Sequence, residues 1–250
     1  SAANNNDIML QVYIFNFNMP FDEMLKEIHN SNTGGLILIK DYDDELVSKL
    51  KTTSLPMVVV DPKHFTNVSC TQICVSNYDS AYLCGKYLME KGHKHLGFIG
   101  DISFSHSFIQ RFNGFRDSII YSGNGSKFSA FTEKAEEENV VCNMFSVKEA
   151  FSGANYPTAL LCANDLAAFL VYDLFKVLNI KIPDDVSVIG FDNLEKSKWL
   201  NMTTMNVPKF EMGCKAVEKL LQIINKQDNL AEKIEIAAEL IERESVKNIE

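Results

Sequence analysis

The chain has 250 residues, of which 46% are hydrophobic, so it is long enough to form two lobes with buried cores. Its formal net charge of −9 argues against direct binding of nucleic acid by this segment, because phosphate binding needs a face rich in Lys and Arg. No apolar run is long enough to span a bilayer, and residues 1–7 are small and polar without a signal-peptide core. We therefore expect a cytoplasmic protein with no membrane partner.

Four short apolar runs end abruptly on Asp or Asn, and each predicts a buried strand of a parallel sheet. In chain order they are residues 57–61 (MVVVD), 96–101 (LGFIGD), 159–165 (ALLCAND) and 186–193 (VSVIGFDN). Runs of this length without in/out alternation suit strands that are buried on both faces. Because ligands of open parallel sheets bind beyond the carboxyl ends of the strands, these polar residues predict a site for a small, hydrogen-bonding ligand.

Helical patterns lie between the predicted strands. Apolar residues recur at helical spacing in residues 79–91, 166–178 and 213–225, and Asn164 or Asp165 is placed to cap the second of these helices. The alternation of strands and helices predicts an α/β fold with doubly wound parallel sheets. Residues 121–154 are rich in Gly, Ser, Asn and Glu, and their pattern assigns no clear element.

The six cysteines are scattered and several lie in apolar runs, which is typical of buried thiols in a reducing compartment. Cys70 and Cys74 have no second Cys/His pair at zinc-site spacing, so we expect no metal site and no cofactor. The sequence also shows no nucleophile elbow, glycine-rich phosphate loop or metal set, and we therefore expect that the chain is not an enzyme.

An ordered set of motifs resembles the effector-binding core of the lactose-repressor (LacI/GalR) family of transcription regulators. The matching segments, in order and at family spacing, are residues 92–100 (GHKHLGFIG), Arg111 with Gly114 and Phe115, residues 162–165 (CAND), residues 182–193 (IPDDVSVIGFDN), Thr203 and Thr204, Pro208, and residues 239–245 (ELIERES). The resemblance runs from about Gly34 to Ser245.

The resemblance implies a periplasmic-binding-protein-like fold of type I, in which two α/β lobes joined by three crossovers enclose a ligand cleft. On this chain it predicts a first lobe of residues 1–101 and 207–229, and a second lobe of residues 102–206 and 230–250. Only one strand–helix unit, Ile8 to Phe17 followed by Pro20 to Asn30, precedes the strand that begins near Gly35, where the family has two. One such unit is therefore expected to be missing from the first lobe.

The resemblance also implies five ligand-binding residues. Arg111 matches the family's effector-contacting arginine, Asp192 is positioned to accept from two hydroxyl groups, and Asn164 could direct its amide at the ligand; Asp79 and Ser107 match further contact positions. Ordinary structural roles remain open for all five. Arg111 could be a surface arginine at a helix start, Asp192 could form a turn, and Asn164 could act only as a helix cap. Asp79 and Ser107 also suit helix starts. Three phenylalanines could form an apolar wall of the site: Phe104, Phe108 and Phe191.

The function implied by the resemblance is effector binding and dimerisation in a bacterial repressor. A sugar-like or purine-like effector would change the arrangement of the two lobes in a homodimer, and thus the spacing of its DNA-binding heads. Operator DNA would be bound through an N-terminal helix-turn-helix that is absent from this chain. Two alternatives remain open: a secreted sugar-binding receptor of an ABC transporter, which has the same fold, and a carbohydrate-acting α/β enzyme.

Overall fold

The computed structural model describes residues 9, 11, 20–39, 44–63, 70–134, 141–227 and 230–249. The first predicted strand, Ile8 to Phe17, lies outside these residues except for two positions. In chain order the described elements are α1 (Phe21–Asn30), β1 (Leu36–Ile39), α2 (Asp44–Lys51), β2 (Met57–Val60), β3 (Thr71–Val75), α3 (Asn77–Glu90), β4 (His95–Ile99), α4 (His106–Tyr121), β5 (Lys127–Phe131), α5 (Met144–Phe151), β6 (Ala159–Cys162), α6 (Asp165–Leu178), β7 (Ser187–Phe191), α7 (Glu195–Trp199), β8 (Thr203–Asn206), α8 (Lys209–Ile224), β9 (Lys233–Ile236) and β10 (Glu239–Ile241).

The chain divides into two compact units. Unit 1 comprises Ser1–Cys74 and Lys209–Ile236, and unit 2 comprises Val75–Pro208 and Ala237–Glu250, so the chain passes between the units three times. The predicted lobes differ from these units at residues 75–101, 207–208 and 230–236. Strand β4 is hydrogen-bonded into the sheet of unit 2, and β9, which was expected in the second lobe, belongs to the sheet of unit 1. Within the described residues, no helix is both long and apolar enough to cross a bilayer.

Unit 1 is built on a four-stranded sheet in the order β1-β2-β3-β9. The pairs β1–β2 and β2–β3 are parallel, with Leu36 opposite Met57 and Val58 opposite Thr71. All four residues of β2 are buried, as its unbroken apolar run predicts. Ile28 on α1 and Val47 on α2 belong to the same core cluster as β2, so both helices bury one apolar face against this sheet.

Unit 2 is built on a six-stranded sheet in the order β10-β8-β7-β6-β4-β5. All neighbours are parallel except β10, which pairs antiparallel with β8. Every residue of β6 and of β7 is buried. The α/β prediction with two parallel-sheet lobes is therefore confirmed, and the strands predicted from residues 96–101, 159–165 and 186–193 form the middle of this sheet.

Helices α3 and α4 pack against each other at two positions where a larger residue would not fit. A Cβ at Gly114 would overlap the backbone carbonyl of Tyr78, and a Cβ at Gly85 would overlap the hydroxyl of Ser118. The two glycines therefore let the backbones approach closely. This contact brings the start of α3 next to the middle of α4, where the predicted site arginine lies.

Candidate functional site

Three strand ends carry polar residues at one edge of the unit 2 sheet. Strand β4 leads to Asp101, β6 leads to Asn164 and β7 leads to Asp192. Since β4, β6 and β7 are parallel neighbours, their carboxyl ends meet at this edge. The fourth predicted strand end, Asp61, follows β2 and therefore belongs to the other sheet.

Arg111 on α4 is the central cation of this edge and is 4% exposed. Its Nε donates a hydrogen bond to Asn77 Oδ1 at 2.8 Å, and its Nη1 donates to the Ala163 carbonyl oxygen at 2.7 Å. Its Nη2 lies 3.7 Å from Asp192 Oδ1, which makes an ion pair. The guanidinium group is therefore held by the start of α3 and by the loops that follow β6 and β7, and its fork of donors has one orientation.

The same guanidinium group lies over the face of an aromatic ring. The Arg111 Cζ atom lies 3.6 Å from the centroid of the Phe191 ring and 5.9 Å from that of Phe108. The ring of Phe104 packs on Phe108 with centroids 5.2 Å apart. An arginine stacked on an aromatic face is stabilised by the ring quadrupole, and more strongly when it is removed from water. The three phenylalanines predicted to form an apolar wall thus lie beside or near Arg111.

Asp192 presents a partly exposed carboxylate beside this buried cation. Its side chain is 26% exposed, whereas that of Arg111 is 5% exposed. Its backbone has φ = +108°, and its N–H donates to the Met205 carbonyl oxygen at 2.8 Å. A carboxylate that is both ion-paired and accessible can accept hydrogen bonds from a bound hydroxyl or amine group.

Asn164 is the N-cap of α6. Its Oδ1 accepts a hydrogen bond from the Ala167 N–H at 2.9 Å, with extended backbone at the cap itself. The capping bond uses the side-chain oxygen, and a contact between the amide NH₂ and a ligand remains a prediction. Asn164 also follows Ala163, whose carbonyl binds Arg111, so it adjoins the same group of residues.

Asp79 and Ser107 lie in the first turns of the two helices that form the Arg111 environment. Asp79 accepts a hydrogen bond from the Ser76 hydroxyl at 2.8 Å, and Ser107 follows the first residue of α4, whose N-cap is Ser105. Their roles in ligand binding remain predictions. Asn77, the first residue of α3, is the residue of that helix that binds the Arg111 guanidinium group.

Two buried polar residues of unit 2 were missed by the sequence analysis. Asn77 follows strand β3 and is 3% exposed, so the rule of polar residues at strand ends would have found it had residues 71–75 been assigned as a strand. Asp165 was predicted only to end a strand run and to be a possible helix cap. It is 0% exposed, and its carboxylate accepts from the Leu194 N–H and the Thr204 hydroxyl, both at 2.7 Å, and from the Ser197 hydroxyl.

The cysteines are buried thiols, as expected, apart from the half-buried Cys214. Burial raises the pKa of Cys84 and that of Cys142 to about 12. These thiols are therefore protonated at neutral pH and are poor nucleophiles. Among residues that the structure describes, no three His, Cys, Asp or Glu side chains are grouped closely enough to hold a metal ion.

Comparison with known proteins identifies relatives over most of the chain. Residues 86–246 match the family model of the periplasmic binding protein-like domain. The chain is 30% identical over 224 residues to the HTH-type transcriptional repressor PurR of Aliivibrio fischeri strain MJ11, covering 86% of this chain and 64% of the repressor. It is 30% identical over 221 residues to the repressor of the same name from Mannheimia succiniciproducens, covering 86% of this chain and 65% of that protein. The chain thus spans a little under two thirds of the length of these repressors.

Solved structures with low sequence identity have the same fold. A LacI transcriptional regulator from a Rhodococcus species superposes with a TM-score of 0.81 at 19% identity, covering 99% of this chain and 91% of that one. A LacI family regulator from Enterococcus faecalis with bound ribose superposes with a TM-score of 0.78 at 20% identity, again covering 99% and 91% of the two chains.

Proposed function

Because the chain belongs to the periplasmic binding protein-like domain family, we propose that it is the effector-binding part of a LacI-type transcriptional regulator. Its relatives are named as transcriptional repressors, which supports a regulatory and not an enzymatic role. The proposed effector is a small sugar-like or purine-like molecule. One structural neighbour contains bound ribose and another is a complex with cellobiose, which supports the sugar class.

The observation that carries the proposed site is the fixed guanidinium group of Arg111 beside the accessible carboxylate of Asp192. A ligand with adjacent hydroxyl or amide groups could donate to Asp192 while accepting from the arginine edge. Since the hydrogen bonds to Asn77 and Ala163 already hold the guanidinium group, little conformational freedom is lost when the ligand binds. Asn164, Asp79 and Ser107 complete the proposed set of contacts.

The proposed regulator acts as a homodimer whose DNA-binding heads lie outside this chain. Effector binding and operator binding would then be coupled through a free-energy difference between two arrangements of the dimer. The net charge of −9 supports a division of labour in which this segment binds the effector and another segment binds DNA.

A ligand screen followed by matched substitutions tests the proposed site. Thermal-shift measurements on the purified chain with D-ribose, cellobiose, adenine and guanine should identify a stabilising ligand, because a ligand at 100 times its Kd stabilises the folded state by about 2.7 kcal/mol. Titration calorimetry on Arg111→Lys and Asp192→Asn should then show roughly ten- to hundredfold weaker binding, which corresponds to the loss of one charge-assisted hydrogen bond.

Arg116→Lys is the matched control for the arginine substitution. Arg116 also lies on α4, but its guanidinium group binds the Asp117 carboxylate, through Nε and Nη2 at 2.9 and 2.8 Å, and is not part of the proposed site. Its substitution should leave ligand affinity unchanged. Unchanged affinity in both Arg111→Lys and Asp192→Asn would remove this edge of the sheet as the binding site.

A further inference from the structure

The loop between β7 and α7, residues 192–194, has a backbone conformation that its residues do not favour. Asp192 has φ = +108° and Asn193 has φ = +49°, although neither is glycine. A non-glycine residue in such a region costs of order 1–3 kcal/mol and persists only where surrounding contacts hold it. The conformational cost is higher at Asp192 than at Asn193, because the φ angle of Asp192 lies outside the left-handed helical region. The structure must therefore contain groups that hold this loop.

Asp165 holds the helix side of the loop. Its carboxylate accepts from the backbone N–H of Leu194 at 2.7 Å and from the hydroxyl of Ser197 in α7. Strand β7 makes room for this carboxylate at Gly190, where a Cβ would overlap Asp165 Oδ1. Since Asp165 starts α6 beside the capping residue Asn164, it ties the loop to the end of the neighbouring strand β6.

Arg243 holds the opposite side of the loop from a distant part of the chain. It follows β10, and its Nη2 donates to Asn193 Oδ1 at 2.7 Å while its Nη1 donates to the Met202 carbonyl oxygen at 2.6 Å. The Asn193 Nδ2 donates in turn to Asn206 Oδ1 at 3.0 Å. Both polar functions of the Asn193 side chain are therefore engaged, and its backbone cannot rotate without breaking these bonds.

We propose that Asp165 and Arg243 are positioning residues for Asp192, and this inference rests on the proposed function of the Arg111 edge. Through Leu194 and Asn193 they hold the loop so that the Asp192 carboxylate lies beside the Arg111 guanidinium. The separation of 3.7 Å between Arg111 Nη2 and Asp192 Oδ1 is sensitive to small displacements of this loop. The two residues thus set ligand affinity without contacting the ligand.

Asn193→Gly separates this positioning role from a purely structural one. Glycine adopts positive φ without strain, so the fold should be retained, but the bonds to Arg243 and Asn206 are lost. A structural role alone predicts unchanged ligand affinity. The positioning role predicts affinity for the D-ribose, cellobiose, adenine or guanine probe that binds the wild-type chain to fall about tenfold or more. Asn179→Gly is the matched control, because Asn179 has φ = +55° at the end of α6 and none of these loop contacts.

Arg243→Met and native-state hydrogen exchange supply a readout that needs no ligand. The Leu194 amide should exchange at least about tenfold faster in Arg243→Met, while amides of β6 keep their wild-type rates. Arg116→Met is the control and should leave both sets of rates unchanged. Wild-type exchange at residues 193–194 in Arg243→Met would overturn the inference, as would a loosened loop with unchanged ligand affinity in Asn193→Gly.

The two readouts also separate failure of this inference from failure of the proposed function. If none of the four probes binds the wild-type chain, the proposed ligand classes fail, and hydrogen exchange alone decides whether Arg243 holds the loop. If a probe binds and both Arg111→Lys and Asp192→Asn leave its affinity unchanged, the site assignment fails, whatever the loop does. If Arg111→Lys weakens binding and Asn193→Gly does not, only the positioning role is overturned.

Discussion

Substitution of Asp165 by Ala should destabilise unit 2 strongly. The substitution removes a fully buried carboxylate that accepts hydrogen bonds from Leu194, Ser197 and Thr204. Both hydroxyl groups belong to residues that are 0% exposed, so water cannot replace the lost acceptor. Each buried donor left without a partner costs about 1–3 kcal/mol, and the loop amide adds a smaller loss.

Removal of the carboxylate offsets part of this loss of stability, because the desolvation cost of burying a charged group is also removed. The expected net effect is a decrease of about 3–5 kcal/mol in the free energy of unfolding. For a chain of this length, such a decrease lowers the melting temperature by roughly 10 °C. Replacing the two hydroxyl donors as well, in a triple variant with Ser197→Ala and Thr204→Val, should recover part of the stability, since no orphaned hydroxyl remains.

Circular dichroism in a urea titration measures this change. Asp173→Ala is the matched control on the same helix, because the Asp173 side chain is 65% exposed and its ion pair with the exposed Lys176, at 3.6 Å, lies on the surface. This control should change the free energy of unfolding by less than about 0.5 kcal/mol. An Asp165→Ala variant within about 1 kcal/mol of the wild type would refute the assigned role of the buried carboxylate.

Three further predictions concern packing, pH and assembly. Gly114→Ala should lower the urea midpoint, because its Cβ would overlap the Tyr78 carbonyl, whereas Gly213→Ala in α8, with open space at the Cβ position, should be neutral or stabilising. Burial lowers the pKa of His93 below its usual range, so the folded state disfavours the protonated ring. The free energy of unfolding should therefore fall as pH drops below about 6.5, and His93→Gln should reduce this dependence in urea titrations between about pH 5 and 7. Light scattering at micromolar concentration should give twice the chain mass of 28.2 kDa, and a monomeric mass would contradict the proposed homodimer.

The strands of the unit 2 sheet were predictable where burial is complete. Strands β6 and β7 are buried at every position, and an unbroken apolar run is the signal that such strands leave in a sequence. Strand β5, Lys127–Phe131, lies at the edge of the sheet with two of its five residues exposed, and it was left unassigned within residues 121–154. An edge strand has only one neighbour and one protected face, so its sequence need not be apolar.

The lobe boundary could not be obtained from local pattern. The pattern of residues 77–90 predicts the same helix whichever lobe contains it. The position of this helix depends on its contacts with α4, at the pairs Gly85–Ser118 and Gly114–Tyr78. A glycine in a helix interior usually indicates a weak helix, and only the partner helix reveals that it permits a close approach. The family resemblance, which is confirmed, supplied the fold but not this assignment.

The candidate site divides in the same way between residues that can be recognised and contacts that cannot. Arg111 and Asp192 were found because they occupy matching positions in motifs, but the partners that hold them lie far away along the chain. Arg111 binds acceptors 34 and 52 residues away, and Asn193 binds a donor 50 residues away. Arg243 also lies in a matching segment, residues 239–245, but the sequence of that segment does not indicate that Arg243 binds Asn193.

The positive φ angles of Asp192 and Asn193 were equally hidden, because glycine is the residue that usually indicates such a conformation. A chain that needed only a turn after β7 could use glycine there at lower conformational cost. An aspartate at φ = +108° supplies a carboxylate where glycine would supply none, and this requires that Asp165 and Arg243 offset the strain. The backbone is thus strained at Asp192 because the proposed ligand contact requires a carboxylate at that position. Asp192→Gly should therefore weaken ligand binding in titration calorimetry, whereas a purely turn-forming role for Asp192 predicts unchanged affinity, because glycine adopts positive φ without strain.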